Sequence, residues 1–189
     1  MKEPRAQDLE AILEAYQQSF AAKVFGEESS EEDDLMQVFG LTQGMKAENK
    51  QYWGRELGMC WERLVKELCE KNCENFSRGI REGKDELCDL VIGDRAIDTK
   101  YRIASGDSGT LKKFKDYGTR LKAKGYEPIM LILREDNLSN AIAACIKGGW
   151  TVKIGEQTYQ YIQNATGVDL QAWLKQRKNQ YAIDPRANT

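Results

Sequence analysis

The chain has 189 residues, of which 41% are hydrophobic and 31% charged, and its formal net charge is −2. This length and composition predict one globular domain with its own core, rather than a disordered chain. Histidine is absent, which excludes Ser-His-Asp hydrolases, HEXXH zinc proteases, and nucleases or deaminases that depend on a histidine ligand. Any chemistry must therefore use carboxylates, lysine, tyrosine or cysteine.

Neither the cysteines nor the apolar segments indicate secretion or a membrane. The five cysteines are odd in number and include no CxxC pair, which suits a reducing compartment. No apolar run approaches the ~18 residues of a transmembrane helix. The charged start at Met1–Arg5 has no apolar signal-peptide segment. We therefore expect a soluble, cytoplasmic protein.

Helices are predicted for most of the N-terminal half. Apolar residues at helical spacing predict a helix over residues 7–24. The stretch Glu27–Asp34 holds six acids and no base, and is typical of a linker or a helix start. A short helix follows at Leu35–Leu41 and should end at a glycine. The strongest helix signal covers residues 51–76, where an apolar stripe should face the core.

A hairpin and a basic helix are predicted next. Two short strands, Leu87–Ile92 and Arg95–Arg102, flank the pair Gly93-Asp94. A pair with glycine first is typical of a type II′ hairpin turn. Residues 104–110 form a predicted loop, and Leu111–Lys124 a basic amphipathic helix.

The C-terminal part predicts a buried strand among helices. Pro128–Arg134 is continuously apolar, as in a central strand buried on both faces. A helix at Asn137–Lys147 and an edge strand at Trp150–Ile154 follow. Two more helices are predicted at Gln157–Asn164 and Asp169–Lys178, the second capped by its aspartate. Together these elements predict a single α/β domain with a mixed sheet.

The predicted hairpin brings two carboxylates and an ammonium group together. A two-residue turn places Asp89 opposite Asp98, and Leu87 opposite Lys100. Opposed residues have Cβ atoms ~4.5–5.5 Å apart, and Asp98 shares its face of the strand with Lys100. Asp-x-Lys also occurs by chance on exposed strands, but an ordinary hairpin has no reason to oppose two acids.

Two facing aspartates repel each other unless a cation lies between them. Mg²⁺ suits that position because it takes oxygen ligands and keeps water molecules that a phosphate can displace. A metal there would polarise a phosphoryl oxygen and acidify a bound water. Lys100 would orient that water or stabilise charge in the transition state. The pattern therefore favours a magnesium-dependent phosphodiesterase site.

These residues resemble a known nuclease motif. Glu62 on a long helix precedes Cys88–Gly93 (Cys-Asp-Leu-Val-Ile-Gly) and Ala96–Lys100 (Ala-Ile-Asp-Thr-Lys). This order, with the basic helix and the apolar strand after it, resembles the PD-(D/E)XK nuclease core over roughly residues 54–135. Cys88 departs from the motif, which has proline before the first aspartate.

Two further segments, Tyr101–Thr110 and Gly148–Leu170, resemble type II restriction endonucleases, among which the ApaLI-like family is the most similar. The resemblance implies a restriction-endonuclease-like core, with a mixed central β-sheet flanked by helices. We accordingly divide the single domain, residues 1–189, into three regions. They are an N-terminal helical region (1–50), a catalytic core (51–135) and a C-terminal helical region (136–189).

The resemblance also assigns roles to the motif residues. It implies that Asp89 and Asp98, with the backbone carbonyl of Thr99, bind Mg²⁺. It implies that Lys100 assists the attacking water and that Glu62 supports the site from its helix. Other acids on that helix leave the assignment of Glu62 open, because an exposed helix face would also explain it.

The segment after the catalytic strand is the candidate DNA-binding region. The residues predicted to contact DNA are Arg102, Ser105, Asp107, Ser108, Thr110, Lys112, Lys113 and Lys115. The lysines suit phosphate contacts and the short polar side chains suit base edges. Ser108 or Thr110 would cap the basic helix and leave backbone N–H groups for a phosphate. A merely solvated helix face remains the alternative interpretation.

We therefore predict a Mg²⁺-dependent type II restriction endonuclease that cuts double-stranded DNA at a specific, palindromic sequence. Cutting both strands at a palindrome suits a symmetric homodimer with two active sites. Two alternatives remain: a PD-(D/E)XK nuclease of DNA repair or junction resolution, and a non-catalytic DNA-binding module. Cleavage of junctions or single strands would favour the first, and metal-independent binding without cleavage the second.

Overall fold

The computed structural model describes Gln17 and residues 28–183; apart from Gln17, the helix predicted over residues 7–24 lies outside that part. Within it the helices are α1 Asp34–Val38, α2 Gln43–Glu48, α3 Lys50–Asn72, α4 Ser108–Ala123, α5 Ser139–Lys147, α6 Glu156–Thr166 and α7 Leu170–Lys175. The strands are β1 Phe76–Arg78, β2 Arg81–Glu82, β3 Asp85–Glu86, β4 Leu90–Ile92, β5 Arg95–Lys100, β6 Glu127–Ile132 and β7 Thr151–Ile154. None of the described helices is both long and apolar enough to span a membrane.

The main sheet is mixed, as predicted. In the described chain its five strands are hydrogen-bonded in the order β1-β4-β5-β6-β7. The pairs β1–β4 and β4–β5 are antiparallel, whereas β5–β6 and β6–β7 are parallel. Parallel neighbours need a crossover, and α4 and α5 supply the two crossovers. The α/β class and the predicted core, a mixed central sheet flanked by helices, are confirmed.

Alternation along β5 sends neighbouring side chains into two separate cores. Ile97 belongs to the same buried cluster as Trp61 and Val65 of α3, on one face of the sheet. Ala96 belongs to the cluster of Leu121 in α4, on the other face. The catalytic candidates of β5 therefore lie between two packed layers that hold the strand in place.

The predicted hairpin turn is confirmed. Gly93 has φ +61°, and Asp94 is not among the residues with positive φ. In a type II′ turn only the first of the two central residues has a positive φ, so both observations fit that turn. The predicted register is confirmed for the pairs Ile92–Arg95, Val91–Ala96 and Leu90–Ile97.

Both hairpin strands are shorter than predicted. The first begins at Leu90 rather than Leu87, since the Leu87 N–H donates instead to the carbonyl of Ile80 at 2.8 Å. The second ends at Lys100 rather than Arg102. The predicted pairing of Leu87 with Lys100 is therefore wrong.

The sequence does not predict β1, β2 and β3. The helix expected over residues 51–76 ends at Asn72, because Cys73 is already extended (φ −111°, ψ 120°). Phe76 then begins β1, which pairs with β4. These three strands have only two or three residues each, mostly polar and exposed. Such short segments give no clear alternation of apolar and polar residues.

The other predicted elements are confirmed with small shifts at their ends. α1 begins inside the acidic stretch, where Asp33 caps it by accepting from the Met36 N–H at 3.0 Å. β6 is buried at every position after its first residue, and β7 is the edge strand. Gly167 ends α6 at φ +73°, and Asp169 caps α7.

A buried charge network joins the acidic segment to the end of β6. Arg134, only 5% exposed, donates to Asp136 (Nε–Oδ1, 2.8 Å) and to Asp33 (Nη1–Oδ2, 2.9 Å). The Tyr101 hydroxyl donates to the same Asp33 carboxylate at 2.5 Å and accepts from Lys46 Nζ at 3.1 Å. Because Tyr101 directly follows β5, the network fixes the end of that strand.

Asp136→Asn is expected to destabilise the protein at neutral pH by about 2–4 kcal/mol, because a buried arginine loses a charged partner. Burial alone would raise the pKa of Asp136, but hydrogen bonds from Arg134 and the Ser29 N–H hold it below its ordinary value. This stabilisation is complete above the pKa of the unfolded carboxyl, ~3.9. It is lost as the pH falls through the lower pKa of the folded state.

Urea unfolding between neutral pH and about pH 3 measures this effect. The stability difference between the two proteins should shrink as the pH falls. Glu67→Gln serves as the control, because Glu67 forms an exposed ion pair with Lys71. This substitution should lower the free energy of unfolding by no more than about 0.5 kcal/mol. A difference that stays constant with pH would contradict this role of the network.

Candidate active site

A cavity of about 300 Å³ opens beside β5, between the hairpin and the start of α4. We call it the catalytic groove, after the predicted catalytic residues that line it. It is lined by Glu86, Asp89, Asp98, Lys100, Thr110, Lys113, Phe114, Tyr117 and Trp150. The structure thus brings Asp89, Asp98 and Lys100 together in one groove, with Thr110 and Lys113 at its side.

Asp98 and Lys100 lie on the same face of β5 and contact each other. Lys100 Nζ donates to Asp98 Oδ1 and, at 3.2 Å, to the carbonyl oxygen of Thr99. Asp98 is 8% exposed. Burial raises the pKa of Asp98 to about 6, against the opposing charge of Lys100 and with the added repulsion of Asp89. The site therefore holds a carboxylate that a nearby cation would stabilise.

Lys100 remains protonated at neutral pH. Desolvation by itself would lower its pKa, but the negative charges of Asp98, Asp89 and Glu62 outweigh it and raise the pKa above its ordinary value. A protonated amine is a hydrogen-bond donor without an acceptor site. The geometry therefore suits Lys100 to donate to water or to a phosphate oxygen, and not to act as a base.

Asp89 lies one position beyond the end of the β4–β5 ladder, which stops at the pair Leu90–Ile97. Its N–H donates to the Ile97 carbonyl at 2.9 Å. Its Oδ2 accepts from the N–H and the hydroxyl of Thr99, at 2.6 and 2.8 Å. The ladder thus does not extend to the predicted pair of Asp89 and Asp98, because the Asp89 carboxylate bonds to the strand itself.

The backbone around Asp89 is held by a close approach of Gly79. A Cβ on Gly79 would lie 2.0 Å from the Cys88 carbonyl oxygen and 2.9 Å from the carbonyl group of Asp89. Such distances leave no room for any side chain, so only glycine fits. The next residue, Ile80, donates its N–H to Cys88 Sγ at 3.4 Å.

The thiol of Cys88 thus has a structural role where the nuclease motif has proline. Burial raises the pKa of Cys88 to about 11, so the thiol is protonated and weakly reactive at neutral pH. Its sulfur accepts the Ile80 N–H, which a proline side chain cannot do. The departure from the motif therefore keeps the chain beside Asp89 in order.

Two carboxylate oxygens of the groove remain available to a cation. Within residues 28–183, neither Asp89 Oδ1 nor Asp98 Oδ2 accepts a hydrogen bond. No cluster of three or more acidic or cysteine side chains able to hold a metal occurs there. Two carboxylates, the Thr99 carbonyl and water would nevertheless make an all-oxygen set of the kind that Mg²⁺ accepts. The residues present therefore fit the predicted ion.

Glu62 lies near the groove but does not line it. Its carboxylate pairs with Lys66 at 2.6 Å, one turn along α3. Its charge nevertheless raises the pKa of both Asp98 and Lys100. The predicted supporting role of Glu62 remains a prediction.

The predicted capping of the basic helix by Ser108 or Thr110 is wrong. Asp107 is the N-cap of α4, and its carboxylate accepts from the N–H and the hydroxyl of Thr110, at 3.0 and 2.7 Å. Aspartate is among the strongest N-caps because its oxygen reaches the free N–H groups of the first turn. The helix consequently begins at Ser108, three residues earlier than predicted.

The other predicted DNA-binding residues lie in different surroundings. Arg102 donates to the Asp136 carbonyl at 2.9 Å and pairs with its carboxylate at 3.1 Å. Its side chain thus belongs to the buried charge network. Ser105 is half-buried in the loop before α4, whereas Lys112 and Lys115 are exposed on α4. Of these four residues, the two lysines are the ones that lie open to a phosphate backbone.

Glu86, Gly79 and Tyr117 are important positions that sequence reasoning missed. Tyr117 follows Lys113 by one helical turn, so the helical period alone would have placed both on one face. Glu86 lies in the short polar strand β3, which gives no pattern to read. Gly79 is required by a contact with residues nine and ten positions away, which only the folded chain shows.

The model of the ApaLI-like restriction endonuclease family matches residues 66–179. The match covers more than half of the chain, from the last two turns of α3 past the end of α7, and includes the whole catalytic groove. Glu62 precedes the matched segment. No curated protein and no solved structure matches the chain.

Proposed function

Because the chain belongs to the ApaLI-like restriction endonuclease family, we propose that it is a Mg²⁺-dependent type II restriction endonuclease. It would hydrolyse phosphodiester bonds in double-stranded DNA at a specific, palindromic sequence. The observation that supports this most is the catalytic groove, where Asp89 and Asp98 each present an oxygen free of hydrogen bonds beside the protonated Lys100.

Four residues in or beside the groove have distinct parts in the proposed reaction. Asp89 and Asp98, with the Thr99 carbonyl, would hold Mg²⁺, which polarises a phosphoryl oxygen and lowers the pKa of bound water. Thr99 fixes one oxygen of Asp89 through two hydrogen bonds, so that the other faces the groove. Lys100 donates to the attacking water or to the phosphate oxygen that gains charge.

The DNA backbone would lie along the start of α4. Lys113 and Thr110 line the groove, and Lys112 and Lys115 are exposed on the same helix. Lysines at these positions would neutralise phosphates and release counterions. Ser105 and Ser108, in and just after the preceding loop, are the candidates for contacts to base edges.

Palindromic specificity would follow from a homodimer. A two-fold symmetric pair of protomers presents two identical catalytic grooves to the two strands of a palindrome. Sedimentation of the protein with its DNA should then give a complex that contains two 21.6 kDa chains for each duplex. A complex that holds a single chain at every concentration would contradict this part of the proposal.

The proposal is tested by incubating purified protein with unmethylated plasmids of diverse sequence in the presence of Mg²⁺ and sequencing the fragment ends. Discrete fragments whose ends share one palindromic sequence are expected. Cutting confined to branched or single-stranded DNA would instead indicate a repair or junction-resolving nuclease. Binding without any cutting would indicate a DNA-binding module.

Mg²⁺ is expected to stabilise the wild-type protein against thermal unfolding in the absence of DNA, and Asp89→Asn should remove this effect. An ion that binds only the folded state adds RT ln(1 + [Mg²⁺]/Kd), about 1.4 kcal/mol at tenfold excess over Kd. Asp94→Asn, in the exposed hairpin turn, is the matched control and should respond like the wild type. If Mg²⁺ stabilised all three proteins equally, the ion would bind at a site that does not include Asp89.

A further inference from the structure

The short hairpin formed by β2 and β3, residues 81–86, stands apart from the main sheet. Its pairs are Arg81–Glu86 and Glu82–Asp85, joined by a turn in which Gly83 has φ +60°. Paired residues share a face, and successive residues point to opposite faces. One face of the hairpin thus carries Glu82 and Asp85, and we call it the acidic face. The opposite face carries Arg81 and Glu86.

The acidic face is bound to α4. Glu82 accepts from Arg120 Nε at 2.9 Å and pairs with Lys124, while Asp85 accepts from the Tyr117 hydroxyl at 2.8 Å. The hydrogen bond from Lys124 is the main reason that the pKa of Glu82 is lowered, and that from Tyr117 the main reason for Asp85. Both acids are therefore ionised, and their charges are matched by α4.

The base of the hairpin is fixed to the active site. The Leu87 N–H donates to the Ile80 carbonyl at 2.8 Å, directly beside the hairpin. Gly79 packs against the backbone of Cys88 and Asp89. With its base and its acidic face both held, the hairpin is ordered before any ligand arrives, which lowers the entropic cost of binding.

The opposite face points to the catalytic groove and to solvent. Glu86 lines the groove, and Arg81 Nη2 contacts its Oε2 at 3.2 Å, although the Arg81 side chain is 74% exposed. Lys84, in the turn, is exposed and forms no ion pair with any residue that the structure describes. Both basic groups are thus accessible to a ligand, and Arg81 contacts a residue that lines the groove.

The groove needs such cations at its edge. Glu86, Asp89 and Asp98 line it together. Lys100 and the proposed Mg²⁺ would only neutralise these three carboxylates, so net attraction for a phosphate must come from further basic groups. Lys113 lies on the α4 side of the groove, so basic groups on the hairpin would complete the opposite side. An exposed ion pair such as Arg81–Glu86 contributes little stability, so a phosphate can replace Glu86 at little cost. Arginine can bind a phosphate through two parallel N–H donors, whereas its contact with Glu86 uses one.

We infer that the β2–β3 hairpin is an arm that binds the DNA backbone beside the scissile bond, with Arg81 and Lys84 on phosphates and α4 as its anchor. This inference rests on the proposed nuclease function and extends it to a surface outside the basic helix. On binding, Arg81 exchanges Glu86 for a phosphate, and Glu86 stays in the groove. The contacts are to the backbone, so they are independent of sequence.

The test is fluorescence anisotropy with a labelled mixed-sequence DNA duplex in EDTA, as a function of salt, using Arg81→Ala/Lys84→Ala. Loss of two phosphate contacts should lower the slope of log K against log salt by about 2, and weaken binding about 10- to 100-fold at ~0.1 M salt. The control, Lys175→Ala/Lys178→Ala, removes the same charge at the end of α7 and just after it; α7 packs on α1 and α6. It should leave the slope unchanged.

The outcomes separate the arm from the proposed function. Suppose that the wild type binds and cuts DNA while Arg81→Ala/Lys84→Ala keeps the wild-type slope and affinity. The proposal that the hairpin binds DNA is then wrong, and the proposed nuclease function stands. If the wild type neither binds nor cuts DNA, the proposed function fails, and the arm with it. Equal losses of DNA affinity in both double variants would show a general effect of charge and would also overturn the proposal for the hairpin.

Discussion

DNA cleavage by Asp98→Asn is expected to fall by at least about 10²- to 10³-fold, the usual effect of removing a preorganised electrostatic group. Asp98 would be a metal ligand, and it is also the partner that holds Lys100 in place. Asparagine has the same shape but cannot supply the negative charge. The loss should appear in single-turnover rates on a DNA duplex that the wild type cuts.

The same variant should remain folded. The carboxylate of Asp98 is buried next to Asp89, and burial raises its pKa to about 6, so the ionised form is costly in the folded protein. Removing this charge offsets the loss of the contact with Lys100, and the free energy of unfolding should change by less than about 2 kcal/mol. Asp94→Asn is the matched control for both measurements. Normal cleavage by Asp98→Asn would show that Asp98 has no part in catalysis.

Gly79→Ala is expected to lower cleavage by about 10²-fold, as a misplacement of about 1 Å at a reacting group does. The new methyl group would meet the Cys88 carbonyl oxygen at 2.0 Å, so either Gly79 or the chain at Asp89 must move. Overpacking of this kind also costs about 1–3 kcal/mol of stability. A raised Mg²⁺ requirement for half-maximal cleavage would show that Asp89 itself has shifted.

Two further variants distinguish positioning from general instability. Gly54→Ala adds a methyl group on α3 where nothing lies within 4 Å, and should stabilise the helix by about 0.5–1 kcal/mol without affecting cleavage. Cys88→Ala should raise the Mg²⁺ requirement, and Cys88→Ser, which restores a hydrogen-bond acceptor for Ile80, should partly reverse it. Gly79→Ala with a wild-type Mg²⁺ requirement would mean that the contact does not position Asp89.

The part of the site that depends on local periodicity was predictable from the sequence. Gly93-Asp94 identifies the turn, the turn sets the register, and alternation places Asp98 and Lys100 on one face of β5. The continuous apolar run after the basic helix likewise identifies β6. These features depend only on residues that lie close together in the chain.

Features that depend on contacts between distant segments were not predictable. Asp89 leaves the ladder because its carboxylate bonds to Thr99, an alternative that strand geometry alone does not reveal. β1 needs β4 as its partner, and Gly79 needs Cys88. Arg102 looks like a DNA contact in the sequence, yet Asp136, 34 positions away, binds its side chain.

The central claim is that Asp89 and Asp98 hold a divalent ion in the catalytic groove, and the most direct test is to locate that ion. Fe²⁺ in place of Mg²⁺, with ascorbate and peroxide, generates radicals that cut the polypeptide next to the bound ion. Mass spectrometry of the fragments should place the cuts beside Asp89 and Asp98, near the middle of the chain. Excess Mg²⁺ or Asp98→Asn should suppress them. Cuts that fall elsewhere, or that persist unchanged in Asp98→Asn, would contradict the account.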